Sequence, residues 1–217
     1  MAPVSLAVDL PPGGATAAGP SPELVPKLMP KLVLASASPR RRELIARLGI
    51  TPDAIEAADI DETPRPREVP RDYARRMALE KTLAVSAPGA CVLAGDTVVA
   101  CGRRILPKAE DETTARACLA LLSGRRHRVL SAIALRGPDG TLRERLSETV
   151  VRFKQLSHAE TEAYIAGREW EGKAGGYAIQ GSAEGLIVSI AGSHSGVVGL
   201  PLFETRALLL AAGFPVG

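Results

Sequence analysis

The sequence predicts an α/β fold built on a mixed β-sheet. From residue 31 onward, short apolar runs alternate with segments whose apolar residues recur at helical spacing, which favours an α/β domain over a helical bundle or a sandwich. The turn signal Gly-Pro-Asp-Gly at 137–140 joins two strand candidates, and strands joined by a hairpin are antiparallel. The sheet should therefore contain antiparallel as well as parallel strands.

The individual elements can be placed in order along the chain. Apolar runs predict strands at 31–35, 91–100, 128–135, 143–153 and 185–190. Helical spacing, capping residues and terminal glycines predict helices at 39–48, 72–86, 111–122, 157–166 and 201–212. A Ser-x-x-Glu capping box, Ser157 and Glu160, opens the fourth of these helices.

The first helix begins beside a cluster of hydroxyl and guanidinium groups. Strand 31–35 leads into Ser36, Ser38 suits the N-cap, and a proline follows at the first helical position. Three arginines at 40–42 then lie in the first turn, where the helix macrodipole disfavours cations. A bound phosphate would remove this conflict, whereas the alternative is a capped surface helix with solvated arginines.

Length, charge and cysteine content limit the class of protein. With 217 residues, 46% of them hydrophobic, the chain can form one sizeable core or two small lobes. No apolar run approaches the ~20 residues that span a membrane, and a formal charge of +3 does not argue for nucleic-acid binding. Three cysteines without C-x-x-C spacing favour a reducing, cytoplasmic compartment and no zinc site.

The first thirty residues differ in composition from the rest. They hold seven of the 17 prolines but only three charged residues, which predicts a flexible extension at 1–30 ahead of a domain at 31–217. They lack the basic and long apolar regions of a signal peptide. Met29 stands just before the first strand, so a misassigned start site is an alternative to a genuine extension.

Three charged residues stand out. Asp96 lies in an apolar strand, where the alternatives are a turn at 95–96 or a carboxylate that binds a divalent cation or polarises water. Lys81 falls on the apolar face of its helix and either reaches solvent or binds an anion in a cleft. Glu62 ends an acidic stretch, which is either a solvated loop or the source of a second carboxylate for Mg²⁺ or Mn²⁺.

Two further segments carry candidate binding groups. Lys108 follows a hairpin at 98–106 and either points into the same cleft as Asp96 or is exposed. The glycine-rich segment 172–181 has no Walker A frame, but in it Tyr177 could stack on a ring and Gln180 could pair with a base edge. No serine–histidine–aspartate nucleophile is evident, so attack by a positioned water is the simplest mechanism.

Five motifs between about residue 31 and residue 213 resemble, in order, those of the Maf family. They are Ser-Ala-Ser-Pro-Arg-Arg at 36–41, Gly-Asp-Thr-Val-Val at 95–99, Leu-Ser-Gly-Arg-Arg-His at 122–127, Gly-Lys-Ala-Gly-Gly-Tyr-Ala-Ile-Gln-Gly at 172–181 and Val-Val-Gly-Leu-Pro-Leu at 197–202. The resemblance implies an inosine-triphosphatase-like fold, with an elongated mixed sheet, flanking helices and a cleft between two lobes. It also implies a cytoplasmic nucleoside triphosphate pyrophosphatase that cleaves the α–β phosphoanhydride with a divalent metal ion.

The same resemblance implies roles for individual residues. Asp96 matches the general base, and Glu62 would join it at the metal, Mg²⁺ or Mn²⁺. The implied substrate-binding residues are Ser36, Arg40, Arg41, Lys81, Thr97, Lys108, Lys173 and Gln180. Those tied to substrate choice are Arg40, Thr97 and Gln180. The family usually has Lys-Pro after the hairpin, whereas this chain has Pro-Lys-Ala at 107–109, so the loop could aim Lys108 differently.

The Tyr-x-Ile-Gln-Gly segment at 177–181 resembles the branch of the family that acts on dTTP and UTP. One alternative is a pyrophosphatase for another or a modified nucleotide, such as 7-methyl-GTP. Another is a binding protein linked to cell division, whose nucleotide site has decayed or acts as a sensor. An aromatic content of 3% argues against a stacking platform for nucleic acid. A homodimer is a further expectation.

Overall fold

A large mixed sheet forms the centre of the computed structural model, which describes residues 30–216. Its strands are β1 (Lys31–Leu34), β2 (Ala54–Ile55), β3 (Ala90–Cys101), β4 (Arg104–Leu106), β6 (Arg126–Arg136), β7 (Leu142–Phe153) and β9 (Ile187–Ala191). A small second sheet pairs β5 (Lys108–Ala109) with β8 (Lys173–Ala174). The extension expected at 1–30 lies, apart from Pro30, outside the described residues.

Helices cover both faces of the large sheet. They are α1 (Pro39–Ala46), α2 (Pro70–Ala84), α3 (Glu112–Leu122), α4 (His158–Ala166), α5 (His194–Val198) and α6 (Leu202–Ala211), with a short 3-10 helix at Ser182–Leu186. From residue 30 to residue 216, none of the helices is both long and apolar enough to cross a lipid bilayer.

The order of strands across the sheet is β2-β1-β3-β6-β7-β9, with β4 paired to the end of β3. Strand β1 runs parallel to both β2 and β3, and the remaining pairs are antiparallel. The turn between β6 and β7 closes with a hydrogen bond from the Gly137 amide to the Thr141 carbonyl, at 2.9 Å. The predicted mixed sheet and its hairpin are therefore confirmed.

The starts of α1 and α4 follow the predicted capping chemistry. The Ser38 side chain accepts from the Arg41 amide at the start of α1, and Ser157 and Glu160 form the capping box of α4. The helix predicted at 72–86 instead spans Pro70–Ala84. The predicted start is late because Pro70 occupies the first helical turn, which leaves Asp72 inside that turn, where the macrodipole favours a carboxylate.

The strand predicted at 185–190 begins two residues later than expected. The 3-10 helix Ser182–Leu186 includes Gly185, and the Ile187 amide still donates to the Glu184 carbonyl before β9 starts. The elements β2, β5, β8 and α5 were not predicted, because two to five residues are too few to show a period.

The side chains of β3 point alternately to the two faces of the sheet and contribute to separate hydrophobic clusters. Val98 packs with α2 on one face of the sheet, and Asp96 shares that face because side chains alternate along a strand. On the other face, Leu93 packs with α1 and α6, whereas Val99 packs with α3 and α4. Thr97 lies between these two clusters on that face. The two clusters form the predicted lobes, and the cleft lies between them.

A buried histidine packs beneath the glycine-rich segment. His127 Nε2 lies 2.8 Å from the Tyr177 hydroxyl, and the two rings meet edge to face with centroids 5.5 Å apart. Phe153 packs against both rings. Burial lowers the pKa of His127 to about 4, so that its ring is neutral at pH 7. Tyr177, which is 5% exposed, belongs to this core cluster and also borders the cleft.

We expect the free energy of unfolding to fall by about 2 kcal/mol between pH 7 and pH 5 because of His127. Its pKa is depressed in the folded protein, whereas the unfolded chain takes up a proton below about 6.5. The unfolded state therefore binds more protons in this window, and acid destabilises the fold. Urea unfolding at several pH values measures how the free energy of unfolding depends on pH.

A His127→Phe/Tyr177→Phe double variant should lose this pH dependence. His158→Gln, a change on the surface, should keep it. An unchanged pH dependence in the double variant would contradict the assignment to His127.

Candidate functional site

The cleft between the two lobes has a volume of about 280 Å³. All of the site residues expected from the sequence line it. They are Ser36, Arg40, Arg41, Glu62, Lys81, Asp96, Thr97, Lys108, Lys173 and Gln180. The structure therefore brings together side chains that lie as much as 144 positions apart in the sequence.

Asp96 lies within an unbroken strand and is paired with a lysine. Strand β3 continues through Asp96 to Cys101, so the alternative of a turn at 95–96 is wrong. The Asp96 side chain is buried, and its Oδ1 lies 2.7 Å from Lys81 Nζ. Lys81 is only 7% exposed, so the alternative that it reaches solvent is wrong as well. Each of the two buried charges is compensated by the other.

Glu62 and Lys108 extend this pair into a chain of alternating charges. Lys81 Nζ lies 2.8 Å from Glu62 Oε1, and Lys108 Nζ donates to Glu62 Oε2 at 3.0 Å. Burial acts to raise the pKa of Glu62, but hydrogen bonds from the two lysines outweigh it and the net shift is downward. Glu62 is therefore ionised at neutral pH. Lys108 points into the cleft despite the altered order of residues at 107–109.

Arg41 is built into the wall of the cleft. Its Nε donates to the Gly199 carbonyl at 2.8 Å, Nη1 donates to Ser36 Oγ at 3.2 Å, and Nη2 donates to Thr97 Oγ1 at 3.4 Å. Burial lowers the pKa of Arg41, whereas the nearby charge of Asp96 opposes the shift. Most donors of the guanidinium are thus used inside the protein.

Arg40 and Lys173 leave positive charge at the cleft. Among residues 30–216, the Arg40 guanidinium makes no hydrogen bond, and Lys173 Nζ has only the Glu171 carbonyl at 2.8 Å. Burial lowers the pKa of both groups, and the charge of Arg40 contributes to the shift of Lys173. Two cations that repel each other and lack carboxylate partners are suited to an external anion.

Thr97 and Gln180 lie where polar contacts with a ligand are available. Thr97 Oγ1 donates to the Gly199 carbonyl at 3.3 Å and lies 3.1 Å from Ser131 Oγ. Gln180 is exposed at the end of the glycine-rich segment and lines the cleft. The amide of Gln180 can both donate and accept.

Sequence reasoning missed Gly199. The Gly199 carbonyl accepts hydrogen bonds from both Arg41 and Thr97. Its backbone φ of 142° is an angle that residues with a side chain rarely adopt. The motif at 197–202 marked this glycine, but only the folded chain brings its carbonyl to α1.

Two carboxylates of the cleft are suited to a divalent cation. Among the residues that the structure describes, no group of three or more histidine, cysteine, aspartate or glutamate side chains could hold a metal. Mg²⁺, however, is often bound through one or two carboxylates together with phosphate oxygens of a substrate. Glu62 and Asp96 both contact Lys81 Nζ, at 2.8 Å and 2.7 Å, so the two carboxylates lie around the same ammonium. The pair therefore fits a cation that binds together with a polyphosphate.

The fold and the cleft define an α/β protein whose charged cleft is suited to a polyphosphate ligand. Cations, hydroxyls and paired carboxylates converge on one cavity between two lobes. The sequence profile described as Maf-like protein matches residues 31–212, so the chain belongs to the Maf-like family.

Relatives of high identity support this assignment. A protein of Novosphingobium aromaticivorans named dTTP/UTP pyrophosphatase is 69% identical over 86% of this chain and 94% of its own length. A protein of Rhodospirillum rubrum with the same name is 62% identical over 86% of this chain and 90% of its own length. Among solved structures, a nucleoside-triphosphatase / dITP/XTP pyrophosphatase from Mycobacterium abscessus is 19% identical over 84% of this chain and 93% of that chain. Its TM-score with this chain is 0.43.

The adjacent arginines should differ in their effect on stability. We expect Arg41→Lys to lower the free energy of unfolding by about 1–3 kcal/mol, because an ammonium cannot satisfy the Gly199 carbonyl and both hydroxyls at once. Arg40→Lys is the matched control and should stay within about 0.5 kcal/mol of the wild type. Urea unfolding of the three proteins measures this difference, and equal losses in the two variants would contradict it.

Proposed function

We propose that this chain is a nucleoside triphosphate pyrophosphatase that converts dTTP and UTP to the nucleoside monophosphate and pyrophosphate. The observation that carries the proposal is the buried carboxylate of Asp96, held by Lys81 in the same cleft as Arg40 and Lys173, two cations that form no salt bridge within residues 30–216. The names of the high-identity relatives support the choice of substrate.

The cationic side of the cleft would bind the triphosphate. Arg40 offers a guanidinium without protein hydrogen bonds in the described part of the chain, and Lys173 adds a flexible ammonium. Guanidinium and ammonium groups both bind phosphate oxygens strongly. Ser36 and Arg41, which hydrogen-bond each other, would complete this wall. Lys81 and Lys108 would offset the negative charge that develops on the leaving pyrophosphate.

Asp96 would act as the general base. Its Oδ1 is bonded to Lys81, whereas Oδ2 has no hydrogen-bond partner within residues 30–216. That oxygen can take a proton from a water molecule as the water oxygen forms a bond to the α-phosphorus. The bond between the α-phosphorus and the bridging oxygen then breaks, and pyrophosphate leaves with the electron pair. The proton on Asp96 is lost to solvent.

We further propose that Glu62 and Asp96 hold Mg²⁺ or Mn²⁺ when the triphosphate binds. Such a cation supplies charge neutralisation on the phosphate oxygens and lowers the pKa of bound water. Lys81 contacts both carboxylates, so it can keep them together before the substrate arrives.

The free cysteines and the composition of the chain bear on its compartment and its domain bounds. We propose a cytoplasmic protein, which the three free cysteines support, with the domain at 31–217 and the extension at 1–30. A homodimer stays a prediction.

Asp96→Asn tests the assignment of the base, because it removes charge with little change in volume. We expect the rate of pyrophosphate release from dTTP to fall by about 10²–10⁴-fold. The fold should persist, because Lys81 keeps Glu62 as a partner; circular dichroism and thermal unfolding check this. Asp59→Asn, an exposed change in the same acidic stretch, should remain active. Retained turnover in Asp96→Asn would reject the assignment.

A panel of nucleotides tests the choice of substrate. The purified protein is assayed with dTTP, UTP, CTP, GTP and 7-methyl-GTP, with Mg²⁺ or Mn²⁺, and products are separated by chromatography. We expect monophosphate and pyrophosphate, fastest from dTTP and UTP. Gln180→Met should reduce the preference for UTP over CTP by roughly tenfold or more, because the hydrogen-bonding amide is lost. Release of diphosphate and phosphate, or a preference for 7-methyl-GTP, would overturn the proposal.

A further inference from the structure

Glu62 lies on a segment that has no regular secondary structure. Residues 56–69, between β2 and α2, form neither helix nor strand. The Glu62 carboxylate is nevertheless held between Lys81 and Lys108 at 2.8 Å and 3.0 Å. Loops are more mobile than the elements that they connect, and a functional carboxylate needs support from neighbouring side chains. The segment therefore has to be anchored from outside.

Two side chains of α2 anchor the backbone at Glu62. The Tyr73 hydroxyl donates to the Glu62 carbonyl at 2.7 Å, and Tyr73 is only 8% exposed. One turn further along the helix, Arg76 Nη2 donates to the Thr63 carbonyl at 3.2 Å. Two consecutive carbonyls are thus fixed to one face of a helix.

Arg76 is itself held rigidly. Its Nε and Nη2 donate to the two carboxylate oxygens of Glu68, each at 2.7 Å, and Nη1 donates to Glu80 at 3.2 Å. Its guanidinium lies 5.5 Å from the centroid of the Tyr73 ring. Hydrogen bonds from Arg76 lower the pKa of Glu68 to about 2, so this pair stays ionised at neutral pH. Because Glu68 belongs to the same segment, Arg76 binds residues 56–69 at two places, the Thr63 carbonyl and the Glu68 carboxylate.

We propose that Tyr73 and Arg76 are positioning residues that keep the Glu62 carboxylate between Lys81 and Lys108. Helix α2 carries Tyr73, Arg76 and Lys81, so one rigid element fixes both the carboxylate and the lysine that it contacts. This inference rests on the proposed function, in which Glu62 takes part in binding the metal and the triphosphate. Tyr73 and Arg76 act through Glu62.

Tyr73→Phe tests the inference because it removes a hydroxyl and retains the ring. We expect kcat with dTTP to fall about tenfold, and the Mg²⁺ concentration for half-maximal rate to rise about tenfold. KM for dTTP at saturating Mg²⁺ should change little, because Arg40 and Lys173 are untouched. The matched control is Thr82→Val on the same helix, which removes a buried hydroxyl that donates to the Ala78 carbonyl of α2 and to the Ala134 carbonyl of β6. The control should leave all three values unchanged.

Hydrogen–deuterium exchange gives a second measurement that needs neither metal nor substrate. Amides of residues 59–68 should exchange faster in Tyr73→Phe than in the wild type, and Thr82→Val should not differ there. Arg76→Lys keeps the charge but loses the bidentate geometry, and it should shift exchange and kcat in the same direction. It also serves as the test if Tyr73→Phe does not fold.

Two results would overturn the inference. One is wild-type exchange in both Tyr73→Phe and Arg76→Lys. The other is faster exchange with unchanged kcat and Mg²⁺ dependence, which would leave these residues a structural role only. A wild-type protein inactive towards dTTP and UTP would count against the proposed function, and the exchange measurements would still decide whether the segment is anchored as described.

Discussion

The buried pair between Asp96 and Lys81 is the interaction on which the rest of the site depends. A carboxylate in the middle of β3 is unfavourable unless a charge of opposite sign meets it, and Lys81 does so at 2.7 Å. The face of α2 that packs on the sheet also carries Lys81, so the helix directs this lysine towards β3. Glu62, in the loop before α2, shares the same ammonium.

Alternation along β3 separates the chemistry of the cleft into two parts. Asp96 faces α2 and the acidic loop, whereas Thr97 faces α1 and the Gly199 carbonyl. Two consecutive residues of one strand therefore connect the carboxylates with the wall of the cleft that Arg41 forms. The antiparallel neighbour β6 pairs with both Asp96 and Thr97, whereas the parallel neighbour β1 pairs with β3 only at residues 90–93. Pairing with β6 gives these two residues the rigid support that a reaction at a fixed distance needs.

The sequence allowed prediction of what depends on local pattern. Asp96 and Lys81 were recognisable because each breaks an apolar period, and the caps of α1 and α4 follow from residue types at fixed offsets. Contacts that depend on chain topology were not predictable. Glu62 meets Lys108 across 46 positions, and Tyr73 reads as a core residue whose hydroxyl has no visible role until the loop is placed. Short elements such as β5 and β8 were not predicted, because their pairing with each other, and not propensity, creates them.

The neighbouring arginines show how one structural conflict is resolved in two ways. Successive residues of a helix point about 100° apart, so Arg41 turns towards the sheet while Arg40 turns towards the cleft. Arg41 meets the positive end of α1 with compensation from the protein itself, through the Gly199 carbonyl and two hydroxyls. Arg40 has no such compensation among the described residues, and Lys173 adds a second charge nearby. An anion that enters the cleft offsets the repulsion of Arg40 by the positive end of α1 and by Lys173. The occupied cleft is therefore lower in electrostatic free energy than the empty one, which favours binding of a highly charged ligand such as a triphosphate.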